Sequence, residues 1–144
     1  MFDIVSYSSE QTEKIGESLA QNLNGIEIIA LFGNLGAGKT AFVRGLCKGL
    51  KVENDVYSPT FAIVNEYKGK YNVYHFDMYR VKTMEDLYST GYFDYIDNGI
   101  LVIEWSENIS AILPDDAIRV EINYGKEENE RIIKIDGIRG EFNI

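Results

Sequence analysis

The segment GNLGAGKT, residues 33–40, places the strongest constraint on what this chain can fold into. It matches the pattern G-x-x-x-x-G-K-[ST] at every fixed position. The apolar run IEIIALF (26–32) precedes it and predicts a buried strand, and AFVRGLCKGL (41–50) follows with apolar residues at helical spacing. A strand, a glycine loop and a helix in this order are the context in which the pattern binds phosphate.

Backbone geometry and charge explain how such a loop would hold phosphate groups. Glycines let successive N–H groups turn inward, and the helix that follows presents the positive end of its dipole. Lys39 would neutralise the β and γ phosphates and is therefore a candidate catalytic residue, and Thr40 would offer its hydroxyl to Mg²⁺. The predicted cofactor-binding residues are Gly33, Asn34, Leu35, Gly36, Ala37, Gly38, Lys39, Thr40 and Ala41.

The nucleotide base is inferred from a segment that the sequence lacks. A GTP-binding protein of the Ras type would carry Asn-Lys-x-Asp to recognise guanine, and this chain contains no such segment. We therefore expect ATP, together with Mg²⁺, as the bound nucleotide.

Composition and charge limit the domain count and the kind of partner. With 144 residues, 45% of them hydrophobic, the chain is expected to form one domain over residues 1–144. It carries 23 Asp and Glu against 14 Lys and Arg, a net charge of -9, whereas nucleic-acid binding requires a basic footprint. Any RNA is therefore expected to be held by a partner protein.

Three further features favour a cytoplasmic protein without a membrane segment. The single cysteine excludes an internal disulfide. No uncharged stretch approaches the ~18 residues that a membrane span needs. The N-terminal sequence MFDIVSYSSEQTEK carries charges and no long apolar run, so it does not resemble a secretory signal.

Patterning along the rest of the chain predicts an α/β fold. Ser8 and Gln11 form a capping-box pattern ahead of apolar residues at helical spacing, and residues 83–86 open another helix in the same way. The runs 61–67 and 71–77 flank a glycine and predict a hairpin. Further strands are predicted at 100–105, 117–124 and 131–136, with a helix at 106–113. Together these elements indicate a three-layer sandwich with a mixed central β-sheet, like that of P-loop NTPases.

Two carboxylates are candidates for completing a phosphate site. Glu104 ends an apolar run, so its side chain would emerge at the C-terminal edge of a central strand, where ligands bind in such sheets. There it could hold Mg²⁺ or its waters, or it could instead cap the next helix. Asp77 is the second candidate. Glu107, at the start of the next predicted helix, is interpreted as a surface acid that the helix dipole favours, with a role in the site as the alternative.

The segment YNVYHFDMYR, residues 71–80, contains the only histidine of the chain. Strand alternation places His75 and Asp77 on one face, which we expect to be exposed, because the other face carries Tyr74, Phe76 and Met78 and is a plausible core face. From the residues alone, His75 is more typical of a packed or hydrogen-bonded side chain than of a catalytic one. Arg80 is interpreted either as part of the site or as one side of a surface salt bridge.

The segment Ser58-Pro59-Thr60 presents two hydroxyls just before a predicted strand. Proline fixes its own φ and favours an extended conformation at the preceding residue, so the loop is expected to be partly rigid. A loop hydroxyl after the phosphate-loop helix can sense the γ-phosphate and Mg²⁺ in switch-type enzymes. The alternative is a turn that binds no ligand.

These segments, in this order, resemble the TsaE family of bacterial ATPases, also called YjeE. The resemblance covers nearly the whole chain and rests on GNLGAGKT, SPTFAIVNEY, YHFDMYR and IEWSENI, after an N-terminal helix. Phosphate loops are common, but SPTF followed by H-x-D-x-Y-R and then E-W is a specific combination.

The resemblance implies a soluble P-loop ATPase that acts with two partner proteins, TsaD and TsaB. Together they would form N6-threonylcarbamoyladenosine on tRNA, next to the anticodon. TsaD would carry the transfer chemistry. This chain would use ATP binding and hydrolysis to keep the complex turning over, and tRNA would contact it only indirectly.

The resemblance also implies individual roles. Lys39 would hold phosphates, Thr40 and Glu104 would bind Mg²⁺ directly or through water, and Asp77 would position or activate the attacking water. Thr12 and Trp105 would lie near the nucleotide. Ser58 and Thr60 would form a switch-like loop, and His75 and Arg80 would have supporting positions.

Two positions depart from the family pattern. Asn34 stands where an acid is common, and Ser106 stands where proline often follows the tryptophan. Neither position supplies an essential phosphate or metal contact, so the departures affect at most a rate or a loop geometry.

Two other functions remain compatible with the sequence. In a small-molecule kinase, Asp77 would deprotonate an acceptor hydroxyl and Arg80 would clamp the acceptor. In a nucleotide-dependent binding module, hydrolysis would be incidental.

Overall fold

Seven strands form one mixed sheet in the computed structural model, which describes residues 2–33, 38–53, 56 and 64–138. The strands are β1 (Phe2–Ser6), β2 (Ile28–Gly33), β3 (Val64–Lys68), β4 (Asn72–Asp77), β5 (Ile100–Glu104), β6 (Ile118–Tyr124) and β7 (Arg131–Asp136). The helices are α1 (Ser9–Ala20), α2 (Lys39–Gly49), α3 (Met84–Ser89), α4 (Tyr92–Tyr95) and a 3₁₀ helix (Ser106–Ile112).

The centre of the sheet is parallel and its margins are antiparallel. The strand order is β1-β7-β6-β2-β5-β4-β3, in which β2 pairs in parallel with β5 and β6, and β5 pairs in parallel with β4. The pairs β1–β7, β6–β7 and β3–β4 are antiparallel. Because β2, β4 and β5 are mutually parallel, their C-terminal ends lie at one edge of the sheet, where ligands bind in this class of fold.

Apolar residues fill a core on each face of the sheet. Alternate residues of β2 point to opposite sides: Ile29 and Leu31 pack in the core that contains α1 and α2, whereas Ile28 and Ala30 pack in the core that contains α3 and α4. This arrangement of helices, sheet and helices confirms the predicted α/β fold with a mixed central sheet.

Helices α1 and α2 pack closely because glycines lie at their contact. A Cβ atom added at Gly45 would collide with the carbonyl oxygen of Glu13, and one added at Gly16 would collide with that of Phe42. Only glycine allows so close an approach of the two backbones. The start of α2, which contains Lys39 and Thr40 of the GNLGAGKT pattern, is therefore supported by a tightly packed helix pair.

Several predicted elements are confirmed in detail. Ser8 caps α1 by accepting a hydrogen bond from Gln11 N, and Thr83 caps α3 in a full capping box with Asp86. The predicted hairpin is confirmed as the antiparallel β3–β4 pair. The first three residues of its predicted first run, 61–63, lie outside the described residues.

Other elements differ from the sequence pattern. β1 and α4 were not predicted. The helical spacing of Ile15, Leu19 and Leu23 predicts a first helix that runs to Asn24, but α1 ends at Ala20 and the buried Leu23 lies beyond it. The segment after β5 is a 3₁₀ helix interrupted at Ile109 rather than a regular helix. β1 is a five-residue strand that pairs with β7 at the end of the strand order, and so short a run carries little periodicity of its own. Within the described ranges, no helix has the length and apolar character to cross a membrane.

Cys47 provides a test of the core around α2. Its side chain is buried, and burial raises the pKa of its thiol to about 12 because the charged thiolate is poorly solvated there. We expect iodoacetamide at pH 8 to label the native protein at least about 100-fold more slowly than the protein unfolded in urea. Since the chain has one cysteine, mass spectrometry of the labelled protein reports on this site alone. Equal labelling rates would show that this core is open.

Candidate nucleotide site

Gly33 and Gly38, the two fixed glycines of the GNLGAGKT pattern, have backbone conformations that favour glycine. Gly33 ends β2 with φ 128° and Gly38 precedes α2 with φ 102°, values that side chains other than glycine rarely allow. A Cβ atom at Gly33 would also collide with the carbonyl oxygen of Ile122 on β6. The predicted cofactor-binding residues between them, Asn34, Leu35, Gly36 and Ala37, lie outside the described residues.

Lys39 begins α2, and its ammonium group lies beside the C-terminal end of β2. The residue is only 5% exposed, and Nζ donates a hydrogen bond of 3.3 Å to the carbonyl oxygen of Gly33. Nζ also lies 5.1 Å from the centroid of the Trp105 ring, within the range of a cation–π contact. The cation is thus held beside Gly33, the first residue of the GNLGAGKT pattern.

The two predicted carboxylates are adjacent at the same edge of the sheet. Asp77 and Glu104 are the last residues of the parallel strands β4 and β5, and they are paired in the register of the two strands. Glu104 is buried, whereas Asp77 is half-buried and its Oδ1 accepts a 2.9 Å hydrogen bond from Tyr79 N. The structure therefore brings Lys39, Asp77 and Glu104 together around the C-terminal ends of β2, β4 and β5.

His75 does not lie on an exposed face, and the expectation that it would was wrong. Its side chain is fully buried, because its face of β4 continues the core that contains α1 and α2, where Val73 also packs. His75 Nε2 lies 2.6 Å from Oε2 of Glu104, and Nδ1 lies 3.4 Å from the hydroxyl of Tyr67. The histidine therefore contacts the candidate metal ligand directly.

Arg80 lies in an open pocket next to this edge. The pocket has a volume of about 440 Å³ and is lined by Tyr79, Arg80, Lys82, Trp105 and Asn108. The rings of Tyr79 and Trp105 are in contact, with centroids 4.8 Å apart. Asn108 holds the turn after β4, because its Nδ2 donates hydrogen bonds to the carbonyl oxygens of Met78 and Tyr79. The pocket thus combines aromatic walls with two exposed cations.

Trp105 has a left-handed backbone conformation, with φ 59° and ψ 40°. This conformation is uncommon for residues other than glycine because it costs free energy. Residues that adopt it cluster at functional sites, where the surrounding structure holds them in place. The conformation turns the chain sharply between Glu104 and the 3₁₀ helix. The Trp105 ring contacts both the Lys39 ammonium group and the Tyr79 ring.

Glu107 is exposed, as predicted, and it also contacts Gly33, the first residue of the GNLGAGKT pattern. Its Oε2 accepts a 3.1 Å hydrogen bond from the backbone N–H of Gly33. Sequence reasoning missed this contact, and it also missed Tyr67 and Asn108. The one signal in the sequence that could have indicated the contact of Glu107 is its position, three residues after Glu104 and thus close to the end of the same strand.

The remaining predicted residues occupy the margins of the site. Thr12 is buried next to Gly38, but its hydroxyl contacts the Ser6 hydroxyl at 2.7 Å and the Ser8 carbonyl oxygen at 3.3 Å. Thr40 is half-buried in the first turn of α2, followed by the buried Ala41. The switch-like loop residues Ser58 and Thr60 lie outside the described residues.

The side chains at this edge suit Mg²⁺ rather than a metal held by protein ligands alone. Thr40 and Glu104 offer oxygen ligands, which Mg²⁺ prefers. No group of three or more His, Cys, Asp or Glu residues within the described ranges could hold a metal. Mg²⁺ commonly takes one or two protein oxygens and completes its shell with substrate phosphates and water, so this donor set fits it.

Comparisons with known proteins show which sequences and structures this chain is similar to. The model of the family "Threonylcarbamoyl adenosine biosynthesis protein TsaE" matches residues 6–133. A relative from Aquifex aeolicus, named tRNA threonylcarbamoyladenosine biosynthesis protein TsaE, is 43% identical over 138 residues, which cover 92% of this chain and 94% of the relative. A protein of the same name from Rickettsia felis is 37% identical over 134 residues, covering 92% and 78%.

A solved structure shares the fold. The crystal structure of Bacillus subtilis YdiB superposes with a TM-score of 0.74 at 29% sequence identity, covering 92% of this chain and 82% of that chain. The arrangement of strands and helices described above is therefore found in an experimentally determined protein.

Proposed function

Because the chain belongs to the TsaE family, whose members are named for tRNA threonylcarbamoyladenosine biosynthesis, we propose that it is an accessory ATPase of that process. It would bind ATP with Mg²⁺ and hydrolyse it to support the proteins that form N6-threonylcarbamoyladenosine on tRNA. One observation supports this proposal above the others: Lys39, Asp77 and Glu104 lie at one edge of the sheet, beside Gly33 and Gly38.

Each of these side chains has a role in the proposed hydrolysis. Lys39 would bind the β and γ phosphates, which would replace the Gly33 carbonyl oxygen as partners of Nζ. Thr40 and Glu104 would hold Mg²⁺, which neutralises charge on the phosphates when it is bound. Asp77 would orient the attacking water and accept its proton, because it is the less buried of the two adjacent carboxylates.

The proposed partners are the TsaD and TsaB proteins, and the proposed location is the cytoplasm. A net charge of -9 disfavours direct binding of tRNA, so the partners would hold the tRNA. Partner binding would raise a low basal rate of hydrolysis. The open pocket beside Trp105 is one place where a partner could reach the phosphate end of the site.

A small-molecule kinase is the second candidate function, and the same pocket favours it. Arg80 and Lys82 could bind an anionic acceptor next to Lys39 and Asp77. Asp77 would then take a proton from the acceptor hydroxyl instead of from water. A kinase releases a phosphorylated small molecule, whereas the proposed ATPase releases free phosphate.

Reconstituted tRNA modification tests the proposed function. The reaction contains TsaD, TsaB, tRNA and the small-molecule substrates, and it is run with and without this protein. In each case, the nucleotide offered to the site of this protein is either ATP or a non-hydrolysable ATP analogue. We expect ATP to support many rounds of modification and the analogue at most about one, together with partner-stimulated release of free phosphate. Equal modification without the protein would refute the proposal. Many rounds with the analogue would instead indicate a binding module in which hydrolysis is incidental.

A further inference from the structure

The buried contact between His75 and Glu104 has no role in the proposed hydrolysis so far. We infer that His75 is a positioning residue, which fixes the orientation of the Glu104 carboxylate for Mg²⁺ and is itself oriented by Tyr67. This inference rests on the proposed function, in which Glu104 is a ligand of Mg²⁺.

The geometry defines a chain of three side chains within the core. His75 is fully buried, Tyr67 is 4% exposed and Glu104 is 7% exposed. The 2.6 Å distance from His75 Nε2 to Glu104 Oε2 is short for a hydrogen bond between nitrogen and oxygen, as is typical when the acceptor is charged. The 3.4 Å distance from Nδ1 to the Tyr67 hydroxyl is long and indicates a weaker contact.

Hydrogen-bonding chemistry assigns the direction of the contact to Glu104. An ionised carboxylate only accepts hydrogen bonds, so Nε2 of His75 must carry a hydrogen and donate it. Nδ1 can then accept from the Tyr67 hydroxyl if the ring is neutral. Tyr67 thereby favours the form of the ring that donates to Glu104, much as a carboxylate or carbonyl group orients a metal-bound histidine.

Stability alone does not explain this arrangement. Removing an imidazole and a carboxylate from water is costly, and apolar side chains of similar size can often replace such a pair without loss. The contact does restrict the carboxylate to one orientation. His75 and Glu104 lie on the paired strands β4 and β5, and strands hold side chains more precisely than loops do. A metal ligand benefits from that precision because Mg²⁺ demands near-ideal octahedral geometry.

Two substitutions of similar polarity separate positioning from packing. The amide nitrogen of glutamine can reach the place of Nε2, so His75→Gln can still donate to Glu104. The shorter His75→Asn places its amide near Nδ1 and cannot. A third variant, Tyr67→Phe, removes only the hydroxyl beside Nδ1. The control is Tyr74→Phe, which removes a hydroxyl from the opposite face of β4, where Tyr74 packs on Tyr95.

The measurement is the affinity for a fluorescent ATP analogue, titrated with Mg²⁺ and repeated in EDTA. In His75→Asn, we expect the Mg²⁺ concentration for half-maximal enhancement of binding to rise by about 10-fold to 100-fold. Affinity in EDTA should stay within about twofold of the wild type, because the contact acts on the metal ligand. His75→Gln should recover most of the loss, Tyr67→Phe should show a smaller loss in the same direction, and Tyr74→Phe should match the wild type.

The outcomes distinguish the inference from the proposed function. Unchanged Mg²⁺ dependence in His75→Asn, or an equal loss of affinity in EDTA, would overturn the positioning role. If the asparagine variant does not fold by circular dichroism, unchanged Mg²⁺ dependence in Tyr67→Phe would overturn it instead. If Mg²⁺ does not enhance binding in the wild type, or if Glu104→Gln leaves the enhancement unchanged, the assignment of Glu104 in the proposed function is wrong, and the inference is overturned with it.

Discussion

Replacing Lys39 with alanine should reduce ATP hydrolysis at least about 100-fold and should also weaken nucleotide binding. The ammonium group lies beside Gly33, the first residue of the GNLGAGKT pattern, where it contacts the Gly33 carbonyl oxygen and the Trp105 ring. Without it, charge on the β and γ phosphates would lose a nearby compensating cation. Phosphate release and binding of a fluorescent ATP analogue measure the two effects.

Lys48→Ala is the matched control for this substitution. It removes the same charge from the same helix, but Lys48 is exposed and lies near the far end of α2. Its hydrolysis and nucleotide affinity should match those of the wild type, and circular dichroism should show that both variants fold. If Lys39→Ala also hydrolyses ATP at the wild-type rate, the segment 33–40 is not the phosphate site.

Asp77→Asn should lower hydrolysis by about 100-fold to 10,000-fold while leaving nucleotide affinity nearly unchanged. An amide cannot take a proton from the attacking water as a carboxylate can. The Asn side chain keeps an oxygen that can accept the hydrogen bond from Tyr79 N, so the turn after β4 should be preserved. Single-turnover phosphate release, compared with binding of the ATP analogue, separates the chemical step from binding.

A second neutral substitution controls for the change in overall charge. Asp115 is exposed and lies after the 3₁₀ helix, away from β4, so Asp115→Asn should hydrolyse ATP like the wild type. The assignment of Asp77 fails if both asparagine variants retain full activity. It also fails if Asp77→Asn loses nucleotide affinity to the same degree as hydrolysis, because Asp77 would then act in binding.

The sequence predicted those parts of the site that depend on local patterns and on one rule of sheet geometry. The glycine pattern predicted a strand before it and a helix after it, and the structure has β2 ending at Gly33 and α2 beginning at Lys39. Asp77 and Glu104 each end a strand. Because the ends of parallel strands meet at one edge, two residues distant in sequence could be predicted to lie together.

Contacts between distant side chains could not be predicted in this way. The hydrogen bond between Gly33 and Glu107 joins residues 74 positions apart, and that between His75 and Glu104 joins residues 29 apart. Whether His75 was exposed depended on which helices cover β4, and strand alternation gives only the side on which a residue lies. β1 was missed for a related reason, since a short edge strand is specified largely by its partner β7.

The position of Trp105 gives the protein an intrinsic optical signal. It is the only tryptophan of the chain, and its indole ring contacts Tyr79 and lies over the ammonium group of Lys39. Indole emission is sensitive to nearby charge and to solvent. Any ligand that draws Lys39 away from the ring, or that fills the pocket beside it, should therefore change the fluorescence of the whole protein. The binding of a ligand near Lys39 and Trp105 can thus be followed in the unlabelled chain, without any substitution.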